Sequence, residues 1–378
     1  RNGLNEHLRN RLLFDWLRDD AQRVELYDEL RAAGGPVLCV KSLWPPHRQD
    51  APLDDLYVLS RRDDVELALR AGSVAPYREL DSGGRFMLGL DDVAAHAHQN
   101  AAAVDALRFD SDVIAACARE AFERAAVRPL GNVHFDLATD IAEQAALHFL
   151  ELLFGLRVES HVYLERMLRG AYRRLTYQIV GRHFVPEDAL SSVDPRLVSE
   201  TRDKLKGYVR EAVGAPFEIA GRRLDNVVTR LHRTFANDDE RFDIAFGLMA
   251  GTVGNVRAAV SIAVEYMFAR EGRHHGAYLL DRAQRAARRG DRGYLETLVA
   301  RALLRHPPAP FLARVATAAT SALRCNGQPV PRGSTLLLLM GVQPTRALLF
   351  GGGFMHRCIG EHLAWPLIVE CVDRVLRL

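Results

Sequence analysis

The stretch with the clearest chemistry lies near the end of the chain, where residues 349–364 read LFGGGFMHRCIGEHLA. Its three successive glycines permit a tight turn that a flat ligand can approach, because no side chain stands in the way. Cys358 directly precedes a helix that we expect to begin near Gly360. The free N–H groups and dipole of that helix favour a thiolate, and His356 and Arg357 add positive charge. The stretch therefore predicts a thiolate that ligates a metal or attacks an electrophile; the alternative is a turn before a buried structural cysteine.

The cysteines do not form a disulfide or zinc framework. Their number is odd, no C-x-x-C pair exists, and they are scattered at Cys39, Cys117, Cys325, Cys358 and Cys371. A disulfide-rich fold needs an even set, and a structural zinc site needs paired ligands. The spacing disfavours both.

The composition is that of a globular protein and excludes two other classes. Of 378 residues, 48% are hydrophobic, and 50 basic residues nearly balance 48 acidic ones, for a net charge of +2. This balance argues against a nucleic-acid-binding protein, which needs a strong basic field, and against an acidic disordered chain. The N-terminal segment is charged and has no apolar stretch of signal or membrane-spanning length. We therefore expect a cytoplasmic protein with neither nucleic-acid nor membrane partners.

Helical periodicity dominates the elements that must position the glycine-rich stretch. It predicts helices at about 20–33, 63–70, 93–106, 111–126, 136–154, 159–178, 242–268, 275–289, 294–305 and 360–376. Strands are expected at about 36–40, 56–60 and 335–340, with a hairpin turned by Asn326-Gly327 before the last. No repeat, linker or domain boundary interrupts the pattern. The sequence predicts a single domain over residues 1–378, mainly α with a minor β part.

Two of these helices are apolar on nearly every side, which places them inside a layered helical protein. They cover residues 135–155 and 242–268. The second contains Gly247, Gly251 and Gly254, and glycine costs about 1 kcal/mol in a helix relative to alanine. These glycines indicate a close backbone approach, a distorted turn, or simply tight helix–helix packing.

The glycine-rich stretch resembles the haem-binding loop of the cytochrome P450 superfamily, Phe-Gly-x-Gly-x-His/Arg-x-Cys-x-Gly-x-x-Leu-Ala. The residues that fall on this pattern are His356, Cys358, Gly360, Leu363 and Ala364. Phe350 and the glycines match only if one residue is inserted before Cys358. The resemblance implies a cytochrome P450-like fold that binds haem b (iron protoporphyrin IX), with Cys358 as the axial metal ligand.

Other segments resemble the same family in the same order along the chain. They are Asp92–His96, 135–155, 246–255, His306–Arg314 and Leu323–Leu338. By this resemblance His96 and Arg314 bind haem propionates, and His356 is a further partner. Asn100 takes the place of an arginine that usually follows the histidine. The implied cofactor-binding set is His96, Asn100, Arg314, Phe350, His356, Cys358 and Gly360.

The helix that crosses the distal haem face departs from the family pattern Ala/Gly-Gly-x-Asp/Glu-Thr, whose acid and hydroxyl relay protons for oxygen activation. The aligned residues are Ala250, Gly251, Thr252, Val253 and Gly254. Thr252 thus lies two residues early, about 200° around the helix, and Asn255 does not titrate. We expect the usual relay to be broken, and the candidate catalytic residues are Gly251, Thr252 and Asn255.

Two further departures concern the proximal side. The family's Glu-x-x-Arg pair is replaced by Arg301 and Leu304. The chain between Met340 and Arg357 is also shorter than the family's, as is the part after Cys358. We expect that residues are missing from the given sequence near 341–345 and after 378.

Three functions remain open. The first is a haem-thiolate monooxygenase that oxidises a small organic molecule, with electrons from a ferredoxin or flavoprotein docked near Arg357. The second is a haem-thiolate enzyme that does not activate O2, such as a peroxide-dependent oxygenase, a rearrangement enzyme, a dehydratase or a cyclase; the missing relay favours it. The third is a catalytically degenerate member that recruits a partner or senses a gas, favoured by the missing Glu-x-x-Arg pair. The expected substrate loops, near 74–90 and 176–195, do not identify the substrate.

Overall fold

The computed structural model describes residues 37–39, 56–70, 93–127, 134–157, 164–170, 195–268, 276–340, 349–351 and 357–378. Its α-helices, in chain order, are α1 Arg62–Arg70, α2 Val93–Ala106, α3 Ser111–Ala126, α4 Glu143–Phe154, α5 Pro195–Glu211, α6 Val227–Thr234, α7 Asp238–Phe268, α8 Gly276–Arg289, α9 Arg292–Arg305 and α10 Glu361–Arg377. Residues 164–170 are also helical. The predicted helices within these segments are confirmed with small shifts at their ends. The sequence also indicates a surface helix after a loop at 182–195, where α5 begins, whereas α6 was not predicted.

Some predictions lie outside the described residues. They are the helix at 20–33, most of the helix at 159–178 and most of the two loops near 74–90 and 176–195. The expected gap near 341–345 also lies outside them.

Helix α7 is the centre of the helical layers and contacts α4, α5, α6, α8, α9 and α10. With neighbours on several sides, α7 buries residues along most of its length, which explains why its sequence is apolar on nearly every side rather than amphipathic. Of the described helices, α7 is long and apolar enough to span a membrane, but 56% of that stretch is buried inside the protein. The core helix of a globular protein meets the same criteria of length and composition.

Helix α4 is entered through a π-helical turn, Leu137–Ala142, where the periodicity predicts ordinary α-helix. The carboxylate of Asp136 caps this turn by accepting hydrogen bonds from the N–H groups of Ala138 and Thr139 at 2.7 and 2.9 Å. These bonds, that of Thr139 above all, lower the pKa of Asp136. The turn packs against α7 and delivers Glu143 to the start of α4.

The minor β part is a four-stranded sheet with strand order β1-β2-β8-β5. Its strands are β1 Val37–Cys39, β2 Leu56–Leu59, β5 Phe311–Val315 and β8 Thr335–Leu339. Strand β8 is parallel to β2 and antiparallel to β5, and all of its residues are buried. Such a central strand is expected to be a continuous apolar run, and it was predicted; β5 was not.

Two small hairpins complete the β part. Their strands are β3 Pro216–Ile219, β4 Arg222–Asp225, β6 Arg324–Cys325 and β7 Gln328–Pro329. The β6–β7 turn places Asn326 and Gly327 at φ 51° and 81°, the left-handed conformations that a type I′ turn requires. This hairpin was predicted from its Asn-Gly pair, and the β3–β4 hairpin was missed.

A buried asparagine joins the β3–β4 hairpin to α6. Asn226 is the N-cap of α6, and its Oδ1 accepts a hydrogen bond from the Thr229 N–H at 2.8 Å. Its Nδ2 donates to the carbonyl oxygens of Ala212 and Ala215 at 2.9 and 3.0 Å. A fully buried amide is tolerated when its polar atoms are satisfied in this way.

The end of α4 packs directly on this asparagine. Gly155 ends α4 in the left-handed conformation, at φ +70°. A Cβ atom at Gly155 would lie 2.7 Å from Cγ of Asn226, closer than any ordinary contact. Glycine is therefore required at this position both by the backbone conformation and by the close approach.

We predict that Gly155→Ala lowers the free energy of unfolding by about 2–4 kcal/mol, because it adds left-handed strain and displaces the hydrogen-bonded Asn226 amide. The measurement is urea unfolding followed by circular dichroism. Gly214→Ala is the matched control: Gly214 has a similar φ of +73°, but nothing lies within 4 Å of an added Cβ, so only the strain of about 1–2 kcal/mol applies. Equal losses in the two variants would show that the Asn226 contact is unimportant.

Candidate functional site

Cys358 lies just before α10, whose N-cap is Gly360. The Cys358 N–H donates a 2.7 Å hydrogen bond to the carbonyl oxygen of Phe350, which closes the glycine-rich stretch into a loop. Gly351 follows Phe350 at φ +84°, a conformation that glycine adopts without strain. The structure thus brings Phe350, Cys358 and Gly360 together, as predicted, while His356 lies outside the described residues.

The pKa of the Cys358 thiol is set by the protein around it. Its residue is exposed, yet the surrounding protein raises its pKa by desolvation, an effect larger than the opposing hydrogen bonds from the N–H groups of Gly360 and Glu361. The carboxylate of Glu361 raises the pKa as well, and Arg357 lowers it. The helix N–H groups favour the thiolate, as the sequence indicates, while burial favours the thiol. A thiolate here needs a further positive partner, which a metal ion supplies.

The first turn of α10 is tied to the rest of the protein by side chains around Cys358. Arg357 is exposed and forms a 3.0 Å ion pair with Glu361, so its charge is shared rather than directed only at the sulfur. His362 Nε2 donates to the carbonyl oxygen of Leu107 at 2.9 Å, just after the end of α2. This contact was not predicted, and it links the helix of Cys358 to the helix of His96.

Three polar side chains lie on α2 where the resemblance places propionate ligands. His96 is 4% exposed, and burial lowers its pKa; Asn100 is half-buried. Gln99 is also buried, and within the described part of the chain its Oε1 atom has no hydrogen-bond partner. An orphaned buried amide is costly, and Gln99 follows His96 by three positions on the same side of the helix. The three-residue spacing from His96 could have pointed to Gln99, but the sequence analysis did not include this residue.

Arg314 lies on β5, opposite Leu336 of β8. It is 5% exposed, and its Nη1 donates to the carbonyl oxygen of Ala313 at 2.7 Å. A guanidinium carries five N–H donors, and a buried charge is stable only when it is well paired. Arg314 is thus a buried cation on β5, at a position that the resemblance assigns to a propionate ligand.

Between Leu248 and Ile262, helix α7 has an accessible face, and Arg257 and Ser261 are half-buried on its other sides. Its residues from Leu248 onwards that are half-buried or exposed on this face are Leu248, Gly251, Thr252, Asn255, Ala258 and Ile262. A Cβ atom built on Gly251 would meet nothing within 4 Å, so tight packing does not explain this glycine. Gly254, by contrast, is buried, and there the packing interpretation holds.

The rotation of α7 determines which of these residues are accessible. Val253 and Gly254, the positions aligned with the family's acid and threonine, are buried in the core. The candidate residues Gly251, Thr252 and Asn255 lie together on the accessible face instead. Since each residue turns a helix by about 100°, the aligned positions and the candidate residues lie on different sides of α7.

The polar groups on this face are bound to their own helix. The Thr252 hydroxyl donates to the Leu248 carbonyl oxygen at 2.7 Å, and Asn255 Nδ2 donates to the Gly251 carbonyl oxygen at 2.7 Å. Such bonds to the preceding turn are common for short polar side chains in helices. The Thr252 oxygen and the Asn255 Oδ1 remain able to accept hydrogen bonds, but neither group carries a proton that ionises near neutral pH.

A buried carboxylate fixes the rotation of α7. Glu143 is 1% exposed, and its Oε2 accepts a 2.8 Å hydrogen bond from Arg257, two residues beyond Asn255 on α7. Its Oε1 accepts bonds from Nε of Arg169 at 2.8 Å and from Nη2 at 2.5 Å. Charge-assisted bonds of this kind are strong and directional, so Glu143 holds α7 against α4 with its accessible face outward.

Comparisons with known proteins define the fold. No family model matches the sequence, and no curated protein matches it significantly. One similar solved structure is P450BioI in complex with an acyl carrier protein ligated to hexadec-9Z-enoic acid, with a TM-score of 0.72 and 16% identity over 93% of this chain and 90% of that chain. A second is the methyl hydroxylase MycCI from Micromonospora griseorubida bound to mycinamicin VIII, with a TM-score of 0.70 and 17% identity over 93% of this chain and 88% of that chain. A third is CYP109B1 from Bacillus subtilis, with a TM-score of 0.67 and 13% identity over 93% of this chain and 90% of that chain. The chain therefore has the cytochrome P450 fold, mainly α with a minor β part, as predicted.

We predict that His96 makes the stability of the protein fall in acid. Burial lowers the pKa of His96 in the folded state, whereas the unfolded chain binds the proton near pH 6.5. The unfolded state thus gains protons first, and the free energy of unfolding decreases as the pH falls below about 6.5. His96→Gln should reduce this decrease in urea titrations at pH 8 and pH 5.5. His98→Gln, an exposed neighbour on α2, should leave it unchanged, and an unchanged pH dependence in His96→Gln would contradict the prediction.

Proposed function

We propose that this chain is a haem-thiolate oxidoreductase that carries out a monooxygenase-type oxidation of a small organic molecule. The observation that carries the proposal is Cys358, an exposed residue just before α10 whose sulfur atom has two backbone N–H groups on it. It occupies this position in a chain with the cytochrome P450 fold. We further propose that residues 1–378 form one haem-binding domain.

The residues present fit haem b. Cys358 is an accessible thiol whose negative charge requires a cation, and an axial iron ligand has that chemistry. His96 and Arg314 are buried N–H donors suited to propionate carboxylates, and Gln99 has an unsatisfied amide that can turn its NH2 group toward such an oxygen. Gly251 leaves open space beside α7, where a flat group can approach the backbone. When bound, haem supplies the redox chemistry for oxidation by O2 or peroxide.

The residues around Cys358 set the properties of the sulfur ligand. The N–H groups of Gly360 and Glu361 stabilise negative charge on the sulfur atom, and such outer contacts tune the basicity of a ligand and the potential of its metal. Glu361 opposes them, and the Arg357–Glu361 ion pair moderates this effect. The chain thus supplies its proximal ligand with hydrogen bonds that preserve the thiolate.

On the accessible face of α7, Thr252 and Asn255 orient small molecules by accepting hydrogen bonds. Between Leu248 and Ile262 this face holds no carboxylate among the described residues. A positioned acid or base contributes about 10²–10⁴-fold to a proton-dependent step. Without one, protons must reach the site through Thr252, ordered water or the substrate itself.

The lack of an acid on this face favours a second candidate function. A haem-thiolate enzyme that uses peroxide, or that rearranges, dehydrates or cyclises its substrate, needs no delivery of two protons for O2 activation. The accessible residues Gly251, Thr252 and Asn255 then shape and orient the substrate. This candidate shares the Cys358 site and differs only in the distal chemistry.

Partners and location follow from the same proposal. We propose a small-molecule substrate, a ferredoxin or flavoprotein as electron donor that docks near the exposed Arg357, and a cytoplasmic location. The solved structures that resemble this chain hold chemically different ligands, among them mycinamicin VIII and myristic acid. The substrate class is thus set by residues particular to this chain.

The first test of the proposal is the ligation of haem by Cys358. The protein, expressed with ample haem, is expected to be red, and its reduced CO complex should absorb at the position diagnostic of a thiolate ligand. Cys358→Ala should lose this spectrum, whereas Cys39→Ala, Cys117→Ala, Cys325→Ala and Cys371→Ala should keep it. A colourless protein that yields no haem on acid extraction would contradict the proposal.

The second test separates the two candidate functions by measuring product under three conditions: O2 with a reductase system, peroxide alone, and neither. Since the described residues of this face between Leu248 and Ile262 include no acid, we expect much of the electron flow from a reductase to appear as peroxide or superoxide. Product formed efficiently with peroxide alone, or with no added oxidant, would establish the second candidate. Turnover that depends on O2 and electrons and is tightly coupled to product would exclude it.

Variants on α7 sharpen this test. Asn255→Asp adds a carboxyl group of nearly the same shape on the accessible face, and we expect it to raise the yield of product per electron if the monooxygenase function holds. Ser261→Ala is the control, since Ser261 bonds to the Arg257 carbonyl oxygen at 2.9 Å in the same manner as Thr252 but farther along α7. Gly254→Thr, at the position suggested by the alignment, would overpack the core instead. Equal coupling in Asn255→Asp, Ser261→Ala and the parent would show that the chemistry does not need an acid there.

A further inference from the structure

A second buried carboxylate lies on α10. Among the described residues, Glu143 and Glu370 are the acidic side chains that are buried, and Glu370 is 5% exposed. Its Oε2 accepts a 3.2 Å bond from Arg292 Nη1, and its Oε1 accepts a 2.9 Å bond from Arg374 Nε. A buried carboxylate held by two arginines is well satisfied, and it joins α10 to the first residue of α9.

The same arginine also contacts α10 at its proline, on the side away from the His362 carbonyl oxygen that would have accepted the missing helix bond. Pro366 lies inside the helix and has no N–H to donate to the preceding turn, so the helix lacks one of its hydrogen bonds there. Arg292 Nη2 lies 3.4 Å from the Pro366 carbonyl oxygen. Arg292 therefore bridges Pro366 and Glu370, one turn apart, and stiffens the helix just beyond the proline.

The opposite end of α10 carries Cys358. Between the cysteine and Pro366, His362 is bound to the Leu107 carbonyl oxygen. The helix is thus fixed at two places, by His362 near its start and by Arg292 beyond the proline. A rotation or shift at the second place is transmitted along the helix to the sulfur atom.

We propose that Glu370 and Arg292 are positioning residues that hold α10, and through it Cys358, in the geometry for axial ligation. This inference rests on the proposed haem-thiolate function. The pair is not the one sought in the sequence: Arg301 is exposed and Leu304 is only half-buried, so α9 holds no buried charge pair at those positions. In this protein the buried carboxylate, Glu370, lies on α10, and its partner Arg292 lies at the start of α9.

A variant of a buried ion pair can change the position of a helix without changing the stability of the protein by much. Replacing such a pair can leave stability nearly unchanged, since burial of charge offsets the attraction, while the fixed geometry is lost. Glu370→Gln is a clean variant, because both arginines keep a second carboxylate: Glu296 lies 3.4 Å from Arg292, and Glu123 lies 3.7 Å from Arg374. Neither arginine is left buried and unpaired.

The experiment compares the haem-loaded parent with Glu370→Gln, Arg292→Lys and the control Glu296→Gln. Two signals are followed as urea is raised: the thiolate signature of the reduced CO complex, and helical circular dichroism. In Glu370→Gln we expect the thiolate signature to disappear at lower urea than the helical signal, and the fraction without thiolate ligation in buffer to rise about tenfold, as for the loss of a charge-assisted bond. Arg292→Lys, which keeps the charge but not the second bond to Pro366, should show a smaller effect, and Glu296→Gln should match the parent.

The outcomes distinguish the inference from the function on which it rests. If the parent shows the thiolate signature and both signals shift together in Glu370→Gln, the residue serves the fold alone and the positioning role is wrong. An equal effect of Glu296→Gln would also overturn it, because any nearby carboxylate would then suffice. A parent that binds no haem would overturn the proposed function and this inference with it.

Discussion

The candidate site depends on the sulfur atom of Cys358, where desolvation by the surrounding protein works against a negative charge. Desolvation raises the pKa of the thiol, and the N–H groups of Gly360 and Glu361 only partly offset that effect. A thiol in this position is a weak nucleophile by itself but a good ligand once a cation is present. The site is therefore suited to ligation, and the residues around it serve to fix where the sulfur lies rather than to activate it.

Two buried carboxylates hold the helices on which this site depends. Glu143 binds Arg257 and so sets which face of α7 is open, while Glu370 binds Arg292 and so sets the position of α10. Helices α7 and α10 contact each other, and each is held by a charge pair that joins it to a different neighbour. Ion pairs of this type give a defined geometry at little net gain in stability, which is what a site for a rigid, flat cofactor requires.

The Glu370 pair also bears on the interpretation of the chain as a degenerate protein. That reading depended on the absence of a Glu-x-x-Arg pair in α9. A buried carboxylate between α9 and α10 provides a different means of fixing the same region, so the departure at Arg301 and Leu304 does not require loss of function. The second departure, Val253 and Gly254 in place of the family's acid and threonine on α7, remains. It bears on the proposed supply of protons and not on the proposed binding of haem.

The sequence was sufficient where the signal is local. The loop that ends at Cys358, the helix after Gly360 and the Asn326-Gly327 hairpin each follow from neighbouring residues, and the resemblance along the chain indicated the fold. It was insufficient where distant residues meet. Arg257 and Glu143 are 114 positions apart and Arg292 and Glu370 are 78 apart, and no local pattern pairs them. The face of α7 that is open and the effect of burial on the pKa of Cys358 likewise depend on packing, which no local pattern in the sequence gives.

The central claim is that a sulfur atom of this chain binds iron, and X-ray absorption at the iron edge of the purified protein tests it most directly. We expect the parent to show one sulfur atom in the first coordination shell together with the nitrogen atoms of the porphyrin, and Cys358→Ser to lose the sulfur while keeping the nitrogens. A haem-loaded parent whose first shell contains only nitrogen and oxygen would contradict the account, because Cys358 would then have no role in holding the cofactor.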